Sequence, residues 1–336
     1  MAKYIITGGA GFVGKALGKA LLSVGHKVVS VSRGLHPELN ALGIETVACN
    51  LASDPEVLIR TFSGAEAVFH VASKVDMWGL AEDFYATNVI GTKNVIDACR
   101  KARVKKLIYT STPSVVAHDA DLNGVNEAYP YPKEYAAYYP ETKAAAEKDV
   151  LSANGQDLYT IALRPHLIWG PEDTNLIPTV IERAEAGKLM IVGDGQNLVD
   201  ICFITDCVKA HILAEQALEN NPNARGNTYF ISQGEPVKLW DWINEILIRS
   251  GHDPLTKQVS KRIAMFAAHI FEMISCLRPS FPEPRFTKFL VSEMSTNHYF
   301  DISAAKRDLG FEPEYSVAEA MDLTFGKVFK AREANL

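Results

Sequence analysis

Short apolar runs rich in β-branched residues alternate with longer amphipathic segments through the first half of the chain. The runs have the length and composition of strands, whereas the segments show the spacing of a helix with one apolar face. The predicted strands are 4–7, 27–31, 46–49, 67–71, 107–111 and 159–163, and the clearest predicted helices are 82–102 and 139–151. Strands that alternate with helices in this way are typical of βαβ units, so we expect an α/β protein built on a parallel sheet.

The pattern changes after Gly170 and Pro171, where prolines and glycines become frequent. The later segments predict a helix at 177–186, short strands near 190–192 and 199–204, and an apolar strand at 228–231 that returns to the main sheet. We therefore expect a Rossmann-type, doubly wound parallel sheet with a smaller, mostly helical C-terminal substrate domain. The predicted Rossmann domain comprises residues 1–170 and a returning segment at about 200–231, and the predicted substrate domain comprises 171–199 and 232–336.

Composition narrows the class of protein. The 336 residues are 47% hydrophobic and 22% charged, which is typical of a globular chain and excludes disordered and collagen-like classes. The formal net charge is −6 and no run of five like charges occurs, which argues against a nucleic-acid-binding protein. We expect a small-molecule ligand instead.

The five cysteines are scattered and show neither a disulfide framework nor the spacing of a zinc site, so we predict no metal. The apolar stretch at the N-terminus is too short for a signal peptide, and no window approaches the length of a transmembrane helix. We expect a cytoplasmic protein, and association with a membrane surface stays open.

A glycine-rich loop follows the first predicted strand. The sequence Gly8-Gly9-Ala10-Gly11-Phe12-Val13-Gly14 lies between that strand and an amphipathic helix. Glycines at this position allow a tight turn and let backbone N–H groups approach a pyrophosphate at the helix N-terminus. The alternative is a glycine-rich turn without a ligand, but the strand–loop–helix context favours a dinucleotide site.

The end of the second strand indicates which dinucleotide binds. NAD-binding proteins usually carry an acidic residue there that hydrogen-bonds the ribose hydroxyls. This chain has Ser32 and Arg33 instead. A guanidinium can pair with a 2′-phosphate and a serine can donate a hydrogen bond to it, so we expect NADP(H) in preference to NAD(H). An ordinary surface arginine is the alternative.

A tyrosine and a lysine are spaced for acid–base chemistry. Tyr139 and Lys143 open a helix-forming run and lie one turn apart on the same face. A lysine ammonium beside a phenol stabilises the phenolate, which would help the tyrosine to exchange a proton with a carbonyl oxygen. Upstream, the hydroxyl-rich segment 110–114 ends a strand at the carboxyl edge of the sheet, where ligands of such sheets bind.

Together these motifs resemble the extended short-chain dehydrogenase/reductase family. The resemblance is carried by TGGAGFVG at 7–14, FHVAS at 69–73, Asn88, YTSTPSV at 109–115, YPETK at 139–143, and LRP at 163–165 leading to Gly170 and Pro171. Residues 109–115, 162–171 and 229–232 further resemble the 3β-hydroxysteroid dehydrogenase-like branch, and within it the bacterial 2-alkyl-3-oxoalkanoate reductases of long-chain olefin biosynthesis.

The resemblance implies a catalytic triad. Tyr139 would be the acid/base, Lys143 would bind the nicotinamide ribose and tune the tyrosine, and Thr112 would hydrogen-bond the substrate oxygen, with Ser111 and Ser114 as open alternatives. Asn50 and Leu51 stand where relatives usually have Asp-Leu near the adenine. The expected cofactor contacts are Gly8, Gly11, Phe12, Val13, Gly14, Ser32, Arg33, Asn50, Leu51, Ala72, Tyr139, Lys143 and Pro165.

The implied reaction is NADPH-dependent reduction of the ketone of a large hydrophobic 2-alkyl-3-oxo acid to the 3-hydroxy acid. A 3β-hydroxysteroid or sterol-4-carboxylate 3-dehydrogenase is the first alternative, and a catalytically silent NADP-sensing protein is the second. Candidate substrate contacts lie on loops after the fourth to sixth strands. They are Lys74, Met77, Trp78, Ser114, His166 and Trp169, and a carboxylate partner is sought among Lys74, His118 and His166.

The segment 262–277 is predicted to be a helix that is apolar around most of its circumference, with His269, Glu272 and Ser275 as a narrow polar stripe. Core or oligomer packing, a lid over a lipid-like substrate, and a membrane-surface contact are the open interpretations. We expect a homodimer, and association with partner enzymes also stays open.

Overall fold

The computed structural model describes residues 1–278 and 280–326. The strands are β1 (Lys3–Thr7), β2 (Lys27–Ser32), β3 (Glu45–Ala48), β4 (Ala67–His70), β5 (Lys106–Thr110), β6 (Leu122–Val125), β7 (Tyr159–Pro165), β8 (Ile168–Trp169), β9 (Ile191–Val192), β10 (Leu198–Val199), β11 (Cys202–Phe203), β12 (Asn227–Ile231), β13 (Val237–Lys238), β14 (Gln258–Val259) and β15 (His298–Phe300). The α-helices are α1 (Phe12–Ser23), α2 (Pro37–Ala41), α3 (Pro55–Phe62), α4 (Ala81–Phe84), α5 (Gly91–Lys101), α6 (Tyr138–Ser152), α7 (Leu176–Glu185), α8 (Ile204–Asn220), α9 (Leu239–Arg249), α10 (Lys261–Leu277), α11 (Lys288–Glu293), α12 (Ser303–Leu309) and α13 (Val317–Phe325).

The main sheet has seven parallel strands in the order β12-β7-β5-β4-β1-β2-β3. This is the doubly wound α/β arrangement that the alternating pattern predicts. The strand order reverses between β1 and β4, and such a switch point opens a crevice at the carboxyl ends of the strands. The strand expected to return does so, since β12 pairs in parallel with β7 from Asn227 to Ile231.

Two hydrophobic clusters cover the two faces of this sheet. Alternate residues of β1 show the division, because Ile5 belongs to one cluster, whereas Tyr4 and Ile6 belong to the other. Strands buried on both faces read as continuous apolar runs, which is why they are visible in the sequence.

The predicted helix 82–102 differs in detail from the structure. Its first turn is α4, its middle is a π-helical segment at Tyr85–Ile90, and its last part is α5. A π-helical turn inside a helix is uncommon and frequently lies at a functional site. Here it sets the position of Asn88, which is described below.

The predicted strand 199–204 is wrong as a single element. β10 ends at Val199, β11 covers Cys202 and Phe203, and α8 begins at Ile204. Apart from the buried Asp200, the run is apolar because it crosses the core between two small sheets rather than following one. β10 joins a second sheet with the order β13-β10-β15-β6, and β11 pairs with β8.

The chain after β12 is mostly helical. Its strands β13 and β15 form the second sheet with β10 and β6, which come earlier in the sequence. Residues 327–336 of the predicted substrate domain lie outside the described residues. Among the described helices, none combines the length and apolar character needed to cross a bilayer.

Candidate active site

The glycine loop turns tightly against β4. Gly8 has a positive φ of +72°, and a Cβ there would lie 2.8 Å from the backbone of Ala72. A Cβ on Gly14 would collide with the carbonyl oxygen of Gly8, so α1 packs on the strand only because this position is glycine. The loop is held by hydrogen bonds from Gly8 N to Val31 O at 2.8 Å and from Gly11 N to Gly8 O at 3.0 Å.

The N-terminus of α1 is suited to a phosphate. Gly11 is the N-cap residue, it has no side chain to cap the helix, and the first turn contains no acidic residue. The first N–H groups of a helix lack intrahelical partners and carry a partial positive charge. The residues present therefore fit the pyrophosphate of a nicotinamide dinucleotide, with Phe12 and Val13 supplying backbone donors.

Arg33, the residue predicted to contact the cofactor's 2′-phosphate, directly follows β2. Its side chain is exposed and forms no ion pair with any residue that the structure describes. The hydroxyl of Ser32 donates to Gly34 O at 3.1 Å. The guanidinium is thus free to meet an anion at the edge of the loop.

The next strand brings Asn50 and Leu51 to the same edge. The Asn50 side chain accepts a hydrogen bond from Ala52 N at 3.0 Å, and its backbone N–H donates to Asp54 Oδ2 at 2.8 Å. Leu51 is buried, while Asn50 is exposed. Asp54 thus places a carboxylate beside the position where relatives usually have their aspartate.

Tyr139 lies in the first turn of α6 and faces Thr112. Burial raises the pKa of the Tyr139 phenol to about 12, and a hydrogen bond with the Thr112 hydroxyl opposes this rise. Thr112 also accepts a hydrogen bond from Ser114 N at 3.2 Å, which caps the 3₁₀ turn Pro113–Val116. The neighbouring Ser111 hydroxyl is buried and lacks a hydrogen-bond partner among the described residues. Thr112 is thus the hydroxyl that contacts the phenol.

Lys143 lies one turn further along α6 and is buried. Its Nζ donates to the carbonyl oxygen of Thr110 at 2.6 Å and lies 4.2 Å from the centre of the Tyr109 ring. Burial lowers the pKa of Lys143 to about 7, and the carboxylate of Glu147 opposes this fall. The expected lowering of the Tyr139 pKa by Lys143 is not seen in the protein alone, because burial of the phenol dominates.

A buried histidine supports the backbone that receives Lys143. His211 Nδ1 donates to Cys207 O at 2.7 Å, and its Nε2 forms a hydrogen bond with the Thr110 hydroxyl, 2.7 Å away. These two hydrogen bonds fix Thr110, whose carbonyl holds Lys143. Sequence inspection missed His211 because it lies on α8, far from the motifs.

Asn88 ties the helix of the site to the loop after β4. Its side chain donates to the Thr142 hydroxyl at 3.0 Å and to Lys74 O at 3.1 Å, and it accepts from Lys74 N at 2.8 Å. The π-helical segment aims Asn88 into this position. The amide therefore sets the spacing between the loop 73–74 and the helix that carries Tyr139.

Glu293 is a second residue that the motifs did not reveal. It ends α11, burial raises its pKa, and its carboxylate raises the pKa of Tyr139. Its carboxyl has no hydrogen-bond or ion-pair partner within the described ranges. Its backbone oxygen accepts from His298, which in turn contacts His166 at 2.5 Å. A titratable acid thus lies close to the phenol.

Two candidate substrate contacts lie in the interior of the protein. Trp169 is fully buried between Phe203 and Trp242, with edge-to-face contacts at 5.6 Å and 5.5 Å, so it belongs to the core rather than to a pocket wall. His166 is also buried, and its Nε2 hydrogen-bonds Nδ1 of His298, so its contact with a substrate stays a prediction. Both follow β7 in sequence, but the short strand β8 folds them inward.

The remaining candidates stay predictions. Met77 is partly exposed, and Trp78 stacks on Phe281 with ring centres 4.8 Å apart. Lys74 already forms a 2.5 Å ion pair with Asp76. Ser114 is buried beside Thr112, Pro165 ends β7, and Ala72 N lies 3.3 Å from the hydroxyl of Thr7. His118 is exposed and hydrogen-bonds the Tyr129 hydroxyl at 3.2 Å.

Comparison with known proteins gives matches over almost the whole chain. Residues 5–260 match the 3-beta hydroxysteroid dehydrogenase/isomerase family. The chain is 41% identical to a 2-alkyl-3-oxoalkanoate reductase of Shewanella oneidensis, over 94% of this chain and 84% of that protein. It is 40% identical to a 2-alkyl-3-oxoalkanoate reductase of Stenotrophomonas maltophilia, over 95% of this chain and 97% of that protein. A decarboxylating sterol-4-alpha-carboxylate 3-dehydrogenase of Mus musculus is 33% identical to this chain, over 96% of this chain and 90% of that protein.

Solved structures match the fold. MoeE5 in complex with UDP-glucuronic acid and NAD aligns with a TM-score of 0.72 at 23% identity, covering 96% of this chain and 97% of that one. A UDP-glucose 4-epimerase of Thermotoga maritima aligns with a TM-score of 0.74 at 21% identity, with the same coverage. At this identity the likeness concerns the fold alone.

Proposed function

The chain belongs to the 3-beta hydroxysteroid dehydrogenase/isomerase family and is a nicotinamide-dependent oxidoreductase acting on hydroxyl and keto groups, and from that premise we propose a specific reaction. The protein reduces the ketone of a large hydrophobic 2-alkyl-3-oxo acid to the 3-hydroxy acid, with NADPH as the reductant. The observation that carries the substrate class is the pair of named reductases at 41% and 40% identity over nearly the full chain.

NADPH is favoured over NADH by the end of β2. Arg33 is exposed and without an acidic partner in the described structure, so its planar fork can pair with a 2′-phosphate. No carboxylate follows the strand to select for free ribose hydroxyls or to repel the phosphate. The glycine loop and the uncapped N-terminus of α1 would hold the pyrophosphate.

The glycine loop would hold the nicotinamide dinucleotide, which when bound would supply the hydride for the carbonyl carbon. Tyr139 then serves as the acid. Its hydroxyl is hydrogen-bonded to the hydroxyl of Thr112, which follows β5 at the carboxyl edge of the sheet. The phenol gives its proton to the carbonyl oxygen, and the product is the alcohol. A phenol with a raised pKa is protonated at neutral pH, which suits an acid in the reducing direction.

Lys143 prepares the site for this proton transfer. Its side chain is buried and held by the Thr110 carbonyl, from which it can reach a ribose hydroxyl and stabilise the phenolate that remains. Glu147 helps to keep the lysine charged. Thr112 orients both the phenol and the substrate oxygen.

A second function, supported by the 33% identical sterol-4-alpha-carboxylate 3-dehydrogenase, is oxidation of a 3-hydroxyl group on a sterol acid. The same residues would serve it, with Tyr139 as the base. Both substrates are large, apolar and acidic, so only turnover separates them.

The test is NADPH oxidation by the purified protein with 2-alkyl-3-oxo acids of several chain lengths, sterol ketones and UDP-sugars. Because 3-oxo acids lose CO₂ spontaneously, the 3-hydroxy acid is identified directly by chromatography and mass. We expect the highest kcat/KM with long 2-alkyl-3-oxo acids and none with UDP-sugars. Preference for a sterol would favour the second function, and cofactor binding without turnover of any ketone would favour a silent sensor.

A further inference from the structure

The outer face of α10 is a stripe of large apolar side chains. The six side chains, with their exposed fractions, are Ile263 (63%), Phe266 (68%), Ile270 (39%), Met273 (53%), Ile274 (42%) and Leu277 (82%). Their spacing places them along one side of the helix over its full length. We call this set the outer stripe.

The opposite side of α10 already packs on the protein. Ala264, Ala268 and Ser275 are buried, and Met265 and Phe271 pack against the main core. The outer stripe is therefore not a core face. A helix that is apolar on two sides can pack one side on its own protein and bury the other against a second apolar surface.

Both ends of α10 are fixed to loops at the carboxyl edge of the main sheet. At its start, Lys261 forms a 2.8 Å ion pair with Asp119, which follows the Thr112 turn. Just after its end, Phe281 stacks on Trp78, which follows β4. The outer stripe thus borders the side of the molecule where Tyr139 lies.

The charges beside the outer stripe are positive, although the whole chain has a net charge of −6. Arg262 and Arg278 are exposed at the two ends of the helix, and neither forms an ion pair within the described structure. The acidic residue of the helix, Glu272, is paired with Lys288 at 3.3 Å. A surface that meets the outer stripe would therefore carry negative charge.

The size of the outer stripe helps to identify what it meets. Its exposed fractions correspond to roughly 600 Å² of surface, at the upper end for the largest apolar patch of a monomer. A standard protein interface needs about 800 Å² per partner. A single helix face flanked by cations is instead the geometry of a helix lying in the headgroup region of a bilayer.

We propose that the outer stripe of α10 docks on an anionic lipid surface, with Arg262 and Arg278 at the headgroups and the apolar side chains in the acyl boundary. Docking in this way turns the cleft side of the molecule toward the lipid, where an apolar substrate would be dissolved. The inference stands on this surface and does not depend on the proposed substrate.

The test is co-sedimentation of the full-length protein with vesicles of phosphatidylcholine alone or mixed with phosphatidylglycerol. We expect binding to the mixed vesicles that weakens as salt is added. The variant Phe266→Gln/Met273→Gln should bind at least tenfold more weakly. The matched control Ile248→Gln/Leu323→Gln alters two side chains of similar exposure, 50% and 53%, on other helices and should bind as the wild type does.

The charge contribution is tested separately. Arg262→Gln/Arg278→Gln should lose roughly fivefold per residue on mixed vesicles and nothing on phosphatidylcholine alone. A polarity-sensitive dye on Cys276, the exposed cysteine beside the outer stripe, should shift to the blue on binding; the other four cysteines are buried.

Three results would overturn the proposal. The first is a wild type that ignores mixed vesicles, and the second is an equal loss of binding in the control variant. The third is a stable oligomer in light scattering that Phe266→Gln/Met273→Gln dissociates without changing vesicle binding, because the outer stripe would then be a protein interface. Circular dichroism of each variant verifies that the helix remains folded.

Discussion

Replacing Glu147 with glutamine should destabilise the helix that carries both catalytic residues. The Glu147 carboxylate receives two charge-assisted hydrogen bonds from Arg164, from Nη2 at 2.6 Å and from Nε at 3.0 Å, and a third from the Tyr131 hydroxyl at 2.5 Å. The two charged side chains are 0% and 2% exposed. The variant leaves a buried guanidinium without its counter-charge, which costs about 3–5 kcal/mol. That is a large part of the ~5–15 kcal/mol by which a domain is stable.

The assay is urea unfolding, with Glu45→Gln as the matched control. Glu45 pairs with Lys27 at 3.0 Å, but both side chains are more than half exposed, so its loss should cost about 0–1 kcal/mol. We expect the Glu147→Gln midpoint to fall with an unchanged m-value. Because Glu147 also holds up the pKa of Lys143, the pH profile of turnover should shift to lower pH. Equal losses in the two variants would refute the reasoning.

Three further predictions concern the site. Arg33→Ala should weaken NADPH binding by about 1.5–3 kcal/mol, measured by titration, and leave NADH binding unchanged. If the variant prefers NADPH over NADH as strongly as the wild type does, Arg33 does not determine the choice of cofactor. Burial lowers the pKa of Lys143 to about 7, so its ammonium is lost as the pH rises through that value, and kcat/KM, which reports the free enzyme, should fall above it. A Lys143→Met profile that keeps the same falling limb would contradict this assignment. Met265→Ala and Phe271→Ala should lower kcat/KM more for long than for short ketones, and equal losses would show that these two side chains do not select the substrate by length.

The sheet was predictable because the constraints on its strands and on the glycine loop act on residues that are adjacent in the sequence. Strands buried on both faces must be apolar throughout, and the glycine loop must combine a positive φ at Gly8 with close packing at Gly14, so both leave a clear signal. The Tyr139–Lys143 spacing is visible for the same reason, since one turn of α6 joins the two residues.

The contributions of other elements were not predictable in the same way. His211 and Glu293 reach the site from α8 and from the end of α11, and no motif links them in sequence. Asn88 is part of the resemblance, but the π-helical segment that positions it was not predicted. The apolar run around Val199 reads as one strand, although the chain crosses from β10 to β11 and enters α8 there. Such placements depend on tertiary packing between distant segments.

Aromatic residues near the carboxyl edge were misjudged for a related reason. Trp169 follows β7 like a pocket residue, but β8 pairs with β11 and turns the indole into the core. Position after a strand indicates the edge of the sheet, whereas the direction of a side chain is set by the next pairing.

Turnover by Tyr139→Phe tests the central claim most directly. The change keeps the ring and removes the proton that we expect to reach the carbonyl oxygen, and Tyr138→Phe, the adjacent and exposed tyrosine, is the matched control. In single-turnover experiments with NADPH and a 2-alkyl-3-oxo acid, the rate should fall about 10²–10⁴-fold for Tyr139→Phe, with cofactor affinity nearly unchanged and Tyr138→Phe near wild type. A Tyr139→Phe enzyme that reduces its substrate at a near-normal rate would contradict the account, because the proton would then come from another group.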